Sequence, residues 1–332
     1  MELNKIFSSN MVFAANKPIR IYGEGCGKVT IDFAGQTKSG IFNDKNWDIE
    51  FSAMTYGGPY KMKVTFEDRE ILFSNIYIGE VYLFAGQSNM QFKIYESSLP
   101  PEQYFENEKL RLFAARKVKN NDFFSPDDGW ITCKKAEVKH WSAIGSLVGN
   151  EIAKKKDIAV GIITCAQGAS VIESWVPQDA FKKHNIDIPI ENRHPDHVFE
   201  EFTKWNGDGI LYNFMLRQII PYSLTGVIWY QGESDTTIDE ALVYADELKA
   251  LIHIWRNDFK DEELPFVIVQ IADYNKRADD GWRLVQKAQL DIQTMTRNVK
   301  TVISADVCEN DDIHPKTKSH LSKRIADLLM QT

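Results

Sequence analysis

The chain has 332 residues, 43% hydrophobic, 12% aromatic and 26% charged, the composition of a globular protein whose core needs no disulfide staples. Its 39 basic and 47 acidic residues give a net charge of −8, which argues against nucleic acid or an anionic membrane surface as the main partner. Cys26, Cys133, Cys165 and Cys308 are scattered and offer neither a disulfide framework nor zinc-ligand spacing. Met1–Phe7 lacks the basic start and apolar stretch of a signal peptide, and no run reaches membrane-span length, so the expected location is cytoplasmic.

Residues 1–78 read as an all-β, sandwich-like domain. Pro18–Gly23 and Lys28–Phe33 alternate with period two, and Trp47–Phe51, Tyr60–Phe66 and Glu70–Ile78 fit further short strands between Gly- and Pro-containing turns. No chemistry is visible there. From residue 79 to 332 the pattern changes to strands alternating with helices. Val81–Ala85, Leu110–Ala115, Ile158–Cys165, Leu224–Tyr230, Phe266–Ile271 and Val299–Ser304 are the predicted strands. Trp141–Lys155, Gly209–Tyr222, Asp239–Phe259, Trp282–Thr296 and Lys316–Met330 are the predicted helices. This alternation predicts an α/β domain with a parallel sheet and helices on both faces. Residues 177–208 show no periodicity and read as loops near the site.

Ligands of an open parallel sheet bind beyond the carboxyl ends of its strands. Four clusters follow predicted strands: Gly86-Gln87-Ser88-Asn89, Ala166-Gln167-Gly168-Ala169-Ser170, Gln231-Gly232-Glu233-Ser234-Asp235 and Asp311-Asp312-Ile313-His314-Pro315. Together they supply the parts for acyl transfer. Ser88 is the candidate nucleophile and His314 its base, with Asp311 or Asp312 holding the imidazole. The backbone N–H groups of Ser88 and Gly168, and the Gln231 amide, are candidate oxyanion donors. Each piece alone has a plainer reading. Gly-x-Ser after a strand is common, and the second glycine of the α/β-hydrolase elbow is missing. Asp-Asp-Ile-His-Pro also suits a turn and helix start. Glu233 suits a structural acceptor as well as a catalytic acid. Ser170 and Ser234 are rival nucleophiles that read as turn residues, and His194-Pro195-Asp196-His197 reads as a solvated loop in preference to a metal pair. The inference rests on the conjunction.

Gly86-Gln87-Ser88-Asn89-Met90, Trp229-Tyr230-Gln231-Gly232-Glu233-Ser234 and Asp312-Ile313-His314-Pro315 resemble the signature blocks of the sialate O-acetylesterase family of SGNH hydrolases. Phe7–Val12 with Lys17–Arg20, Val160–Gly168 with Ile172–Trp175, and Leu264–Phe266 with Gln270 extend the likeness over nearly the whole chain. The resemblance implies a flavodoxin-like, three-layer α/β/α SGNH domain behind a small β domain, and a Ser–His–Asp esterase that removes acetyl groups from sugars without a metal or other cofactor. It implies Ser88 as nucleophile, His314 as base, and Gly168 and Gln231 as oxyanion positions. Gln87, Asn89, Trp175, Tyr230 and Glu233 are the expected substrate-binding residues, although Trp175 and Tyr230 suit the core equally. Three positions depart from the family pattern. Gln167-Gly168-Ala169 stands where relatives often have Trp-Gly-Gly, Asp235 where they often have Asn, and Asp311-Asp312 where they have Asn-Asp. The first change bears on the pocket, and the last leaves open which aspartate completes the triad.

The leading expectation is therefore a serine esterase for O-acetylated carbohydrate, with sialic acid or acetylated xylan and other glycans as substrates. Two other classes remain beside it: a glycoside hydrolase using Glu233 with Asp311 or Asp312, and a non-catalytic carbohydrate-binding protein. The sequence does not define the oligomeric state.

Overall fold

The computed structural model describes residues 1–117, 129–277 and 279–331. The first seven strands are β1 (Glu2–Leu3), β2 (Val12–Ala14), β3 (Ile19–Glu24), β4 (Gly27–Phe33), β5 (Gln36–Phe42), β6 (Asn46–Phe51) and β7 (Gly57–Thr65). Next come β8 (Glu70–Gly86), β9 (Asn107–Ala114), β10 (Ile131–Cys133), β11 (Val160–Ala166), β12 (Gly226–Tyr230), β13 (Phe266–Val269) and β14 (Val299–Val302). The helices are α1 (Ser88–Gln91), α2 (Lys135–Val138), α3 (Ala143–Lys156), α4 (Ala180–Lys183), α5 (Thr203–Asn206), α6 (Ile210–Phe214), α7 (Ile238–Asp258), α8 (Asp280–Met295) and α9 (Ser319–Gln331).

Strand β8 organises the molecule. Its first half alternates between exposed and inward side chains and pairs antiparallel with β7 and parallel with β2. Its second half is buried continuously and pairs parallel with β11 and β12. The change from alternation to unbroken burial is what one strand shows on passing from a one-sided sheet into a sheet covered on both faces. The separate strands expected at Glu70–Ile78 and Val81–Ala85 are thus one element, because Gly79 and Glu80 stay paired (Gly79 to Ala14, Glu80 to Val160).

In the N-terminal part, β1, β3 and β6 form one antiparallel sheet, which packs against the sheet of β4, β5, β7 and the start of β8. Inward residues of β4 (Val29, Ile31, Phe33) and β6 (Trp47, Ile49, Phe51) are buried, and Phe33 meets Phe51 edge-on across the sandwich at 5.9 Å. Strand β5 has no counterpart among the predicted strands because its side chains are mostly exposed and polar. The sandwich docks on the larger part through Tyr222, whose hydroxyl donates to the Val12 carbonyl (2.7 Å), and Tyr22, which donates to Ile219 (2.6 Å). The helix expected over Gly209–Tyr222 breaks after α6. Gln218 donates its amide to the Phe214 carbonyl, and the chain turns to bring Tyr222 to the sandwich.

The large sheet runs β10-β9-β11-β8-β12-β13-β14, with every pair parallel except the β10 edge. Leaving out β9 and β10, its order is second, first, third, fourth, fifth along the chain, the flavodoxin-like order. Helix α3 packs on Phe84, Ile162 and Leu110 through Gly145 and Gly149 and touches α9. Helix α7 lays Trp255 edge-on against Trp229, on the other face, and packs with α8. The result is the expected three-layer α/β/α arrangement. The helix starts follow from local chemistry. Ser142 accepts Gly145 N–H for α3, Asp279 accepts Trp282 N–H for α8, and Thr237 and Glu240 form a capping box for α7. The winding reverses between β8 and β12, and this is where a ligand crevice forms.

Candidate active site

At the end of β8 the chain needs a glycine. Gly86 has φ +138°, and a Cβ there would lie 2.0 Å from the Tyr230 carbonyl oxygen of the adjacent β12. Gln87 N–H bonds that same carbonyl at 3.0 Å, and α1 starts at Ser88. Ser88 is thereby lifted to the crevice floor. His314 reaches it from the segment between β14 and α9, with Nε2 2.8 Å from Ser88 Oγ. A neutral ring nitrogen at that distance accepts the hydroxyl proton.

Asp312 accepts the backbone N–H of His314 through Oδ1 at 2.9 Å. Asp311 is exposed. Among the described residues, no carboxylate forms a hydrogen bond or ion pair with the His314 ring. Burial pushes the His314 pKa below its ordinary 6.5, and the Lys318 charge adds to this, while Asp312 and Glu96 oppose it. The imidazole is therefore in its basic form at neutral pH. As pH falls through this depressed pKa the ring gains a proton and loses its capacity as base. The acid limb of kcat/KM for acetyl-ester hydrolysis should accordingly have its midpoint below 6.5; a midpoint above the ordinary histidine value in a pH–rate profile would show the ring in a different environment.

The Ser88 N–H opens α1 and has no backbone acceptor among the described residues. Gly168 N–H donates to Gln91 Oε1 at 2.8 Å. A Cβ on Gly168 would lie 3.6 Å from the Ser88 Cβ, in the space an acyl group must enter. Gln231 does not join them. Its side chain is 0% exposed, its amide donates to Ser170 O (2.9 Å) and Asp235, and its carbonyl accepts the Tyr244 hydroxyl (2.8 Å). With both ends engaged inside, it is not an oxyanion donor in this geometry.

Asn89, the neighbour of Ser88 in α1, is buried. Its amide donates to Glu233 Oε1 (2.7 Å) and to the Ile313 carbonyl next to His314 (2.9 Å), and its oxygen accepts from Lys318 Nζ (2.7 Å). It ties the loop that carries His314 to the sheet and does not line the crevice. Gln87 accepts Gly232 N–H at 3.1 Å and locks the loop after β12 to that after β8. Glu233 borders the crevice, and its Oε2 has no hydrogen-bond partner among the described residues. Burial raises its pKa, partly offset by the Asn89 hydrogen bond.

The crevice has a volume of about 470 Å³. Phe202 and Trp205, with rings 5.4 Å apart, line the crevice, as do Arg277, His194 and Asp196. Trp175 and Tyr230, expected at the sugar, are both 0% exposed. Trp175 meets Trp229 edge-on at 5.9 Å and donates to Ser170 Oγ, and Tyr230 lies in the middle of the sheet, so both are core. The loop expected to be solvated at residues 194–197 is instead packed, with His194 and His197 buried. Of the rival nucleophiles, Ser170 and Ser234 are buried and hydrogen-bonded, Ser234 donating to Asp196 Oδ2 at 2.6 Å.

A family model for carbohydrate esterases, described as sialic acid-specific acetylesterase, matches residues 78–331. This chain belongs to the sialic acid-specific acetylesterase family. The human sialate O-acetylesterase is 24% identical over 313 residues, covering 84% of this chain and 59% of that protein, and the Pongo abelii sialate O-acetylesterase gives the same values. The chain thus spans about three-fifths of the length of these curated relatives. A crystal structure of a carbohydrate acetylesterase from Xanthomonas citri shares the fold, with a TM-score of 0.83, 24% identity, and coverage of 98% of this chain and 73% of that one.

The departure at Ala169 has a structural correlate in this family member. Ala169 has φ +51°, a left-handed conformation that glycine adopts freely and alanine adopts at a cost of roughly 1–2 kcal/mol. Phe202 and Trp205 are not among the residues the sequence singles out, because their segment has no periodicity. The signal it does carry is a cluster of prolines and aromatics between two strands.

Proposed function

We propose that this chain is a serine esterase that removes O-acetyl groups from carbohydrate. The observation that carries the reading is the 2.8 Å contact between Ser88 Oγ and His314 Nε2 at the crevice floor. Ser88 Oγ attacks the acetyl carbonyl carbon as its proton passes to His314 Nε2. The developing oxyanion takes the Ser88 and Gly168 N–H groups, displacing the Gln91 amide oxygen from Gly168. The sugar oxygen leaves with the proton held on His314, giving an acetyl-enzyme. Water then attacks that ester and loses a proton to His314, which passes it to Ser88 Oγ as the acyl–oxygen bond breaks and acetic acid departs, ionising to acetate in solution. Asp312 is the proposed supporting acid, because its charge favours the imidazolium and its carboxylate holds the His314 backbone.

Family membership supports a sialic acid as the sugar, and so does Arg277. This cation contacts His194 Nε2 and Thr236 Oγ1 and, among the described residues, forms no ion pair with a carboxylate. It suits the carboxylate of an acidic sugar. A charge-assisted hydrogen bond of about 1.5–3 kcal/mol predicts that Arg277→Met lowers kcat/KM on O-acetylated sialic acid by roughly 10- to 100-fold. Hydrolysis of 4-nitrophenyl acetate should be nearly unchanged. Acetate release from O-acetylated sialic acid and from acetylated xylo-oligosaccharide, measured side by side, tests the reading. Preference for the xylan substrate, with no effect of Arg277→Met on either sugar, would replace sialic acid with a neutral glycan.

A further inference from the structure

Behind the crevice wall, away from Ser88, three metal-ligand side chains converge in the interior. Glu173 lies in the turn after β11, His197 in the loop before α5, and Asp235 in the loop after β12. They are 6%, 8% and 1% exposed, and one ligand atom from each lies within 4.8 Å of the other two. Arg193 engages Glu173 Oε1, but Glu173 Oε2 has no hydrogen-bond partner among the described residues. It lies 3.8 Å from His197 Nε2, which also lacks one. Glu240 Oε1 is 2.8 Å from that nitrogen, without hydrogen-bond geometry.

Charge makes the arrangement costly as it stands. Glu240 and Glu247 are buried in the same region, so four carboxylates surround one guanidinium and one imidazole. Removing ions from water is repaid only by matched opposite charge and complete hydrogen bonding.

We propose that Glu173, His197 and Asp235 bind one divalent transition-metal cation of the Zn²⁺ or Mn²⁺ class. Mixed imidazole and carboxylate donors suit these ions. The ion supplies the missing charge and takes the two unpartnered atoms as ligands. Its role is structural, because the three donors come from separate segments that each run on to the crevice. Gly168 and Ala169 precede Glu173, Asp196 precedes His197, and Ser234 precedes Asp235. Sequence spacing gives no sign of the site, since its ligands are brought together only by folding.

Metal analysis of tag-free protein by plasma emission spectrometry, with thermal melts of EDTA-treated protein in added Zn²⁺ or Mn²⁺, tests the proposal. The expected result is about one equivalent of metal and a Tm that rises with metal concentration, as binding to the native state requires. Asp235→Asn and His197→Gln should each weaken binding by at least about 10-fold. Absence of bound metal in the wild type together with an unresponsive Tm would overturn the proposal, whatever the variants do. Undiminished binding in both variants would place the ion elsewhere and overturn it equally.

Discussion

Replacing Ser88 with Ala lowers kcat for acetyl-ester hydrolysis by roughly 10⁴-fold or more, with the fold intact. Nucleophile and base act as a unit, so losing either removes nearly the whole covalent route and leaves only what the oxyanion donors and binding supply. The fold should not suffer, because Ser88 is part-exposed and its hydroxyl is bonded only to His314 among the described residues. Hydrolysis of 4-nitrophenyl acetate and far-ultraviolet circular dichroism of both proteins measure the two halves of this prediction. The same variant separates the esterase from a glycoside hydrolase built on Glu233 and Asp311 or Asp312, for which Ser88 is dispensable. The geometry already disfavours that route, since Glu233 is held by Asn89 and Asp311 is exposed.

Asn89→Ala should destabilise the protein by about 3 kcal/mol and lower kcat at the same time. Asn89 is 1% exposed and hydrogen-bonds Glu233, the Ile313 carbonyl and Lys318 together. Lys318 Nζ is deeply buried, with its pKa pushed down to about 8 by that burial, and its hydrogen bond is to Asn89, although it also lies over the Phe92 ring at 4.8 Å. Removing the amide leaves an ammonium and a Glu233 carboxylate oxygen buried without hydrogen-bond partners, which costs on the order of 1–3 kcal/mol for each hydrogen-bonded group lost and more where a charge is stranded. It also frees the Ile313 carbonyl, the tether of the loop that presents His314. Urea denaturation with kcat measured on the folded fraction checks both effects. A variant within about 0.5 kcal/mol of wild type, with unchanged kcat, would mean that the network neither stabilises the fold nor positions the base.

Much of the site is legible in the sequence because strand ends are legible. Unbroken apolar runs mark β8, β11 and β12, and the residues that follow each run are the ones that meet at the crevice. Ser88 and His314, 226 positions apart, are paired by that reasoning and are bonded in the fold. The direction of side chains is not legible. Nothing in Trp229-Tyr230-Gln231 says that Tyr230 and Gln231 point into the core, because a β-strand covered on both faces carries no alternation to read. Trp175 misleads because it sits in a short buried turn after β11, which has no period to read, and the aromatic residues that do line the crevice come from a segment without periodicity. The N-terminal sandwich is visible in its alternating strands, but the continuity of β8 is not. Gly79 and Glu80 look like a break in a hydropathy pattern, and only the pairing of their backbone shows otherwise. Nor can residue spacing disclose that Glu173, His197 and Asp235 meet.

The most direct test of the central claim is covalent labelling with a fluorophosphonate, followed by peptide mass spectrometry. The account predicts stoichiometric modification of Ser88, with loss of esterase activity in step and no labelling when His314 is replaced by Ala. Hydrolysis of acetyl esters by a protein that remains unlabelled at Ser88, or that carries the label on Ser170 or Ser234, would contradict it.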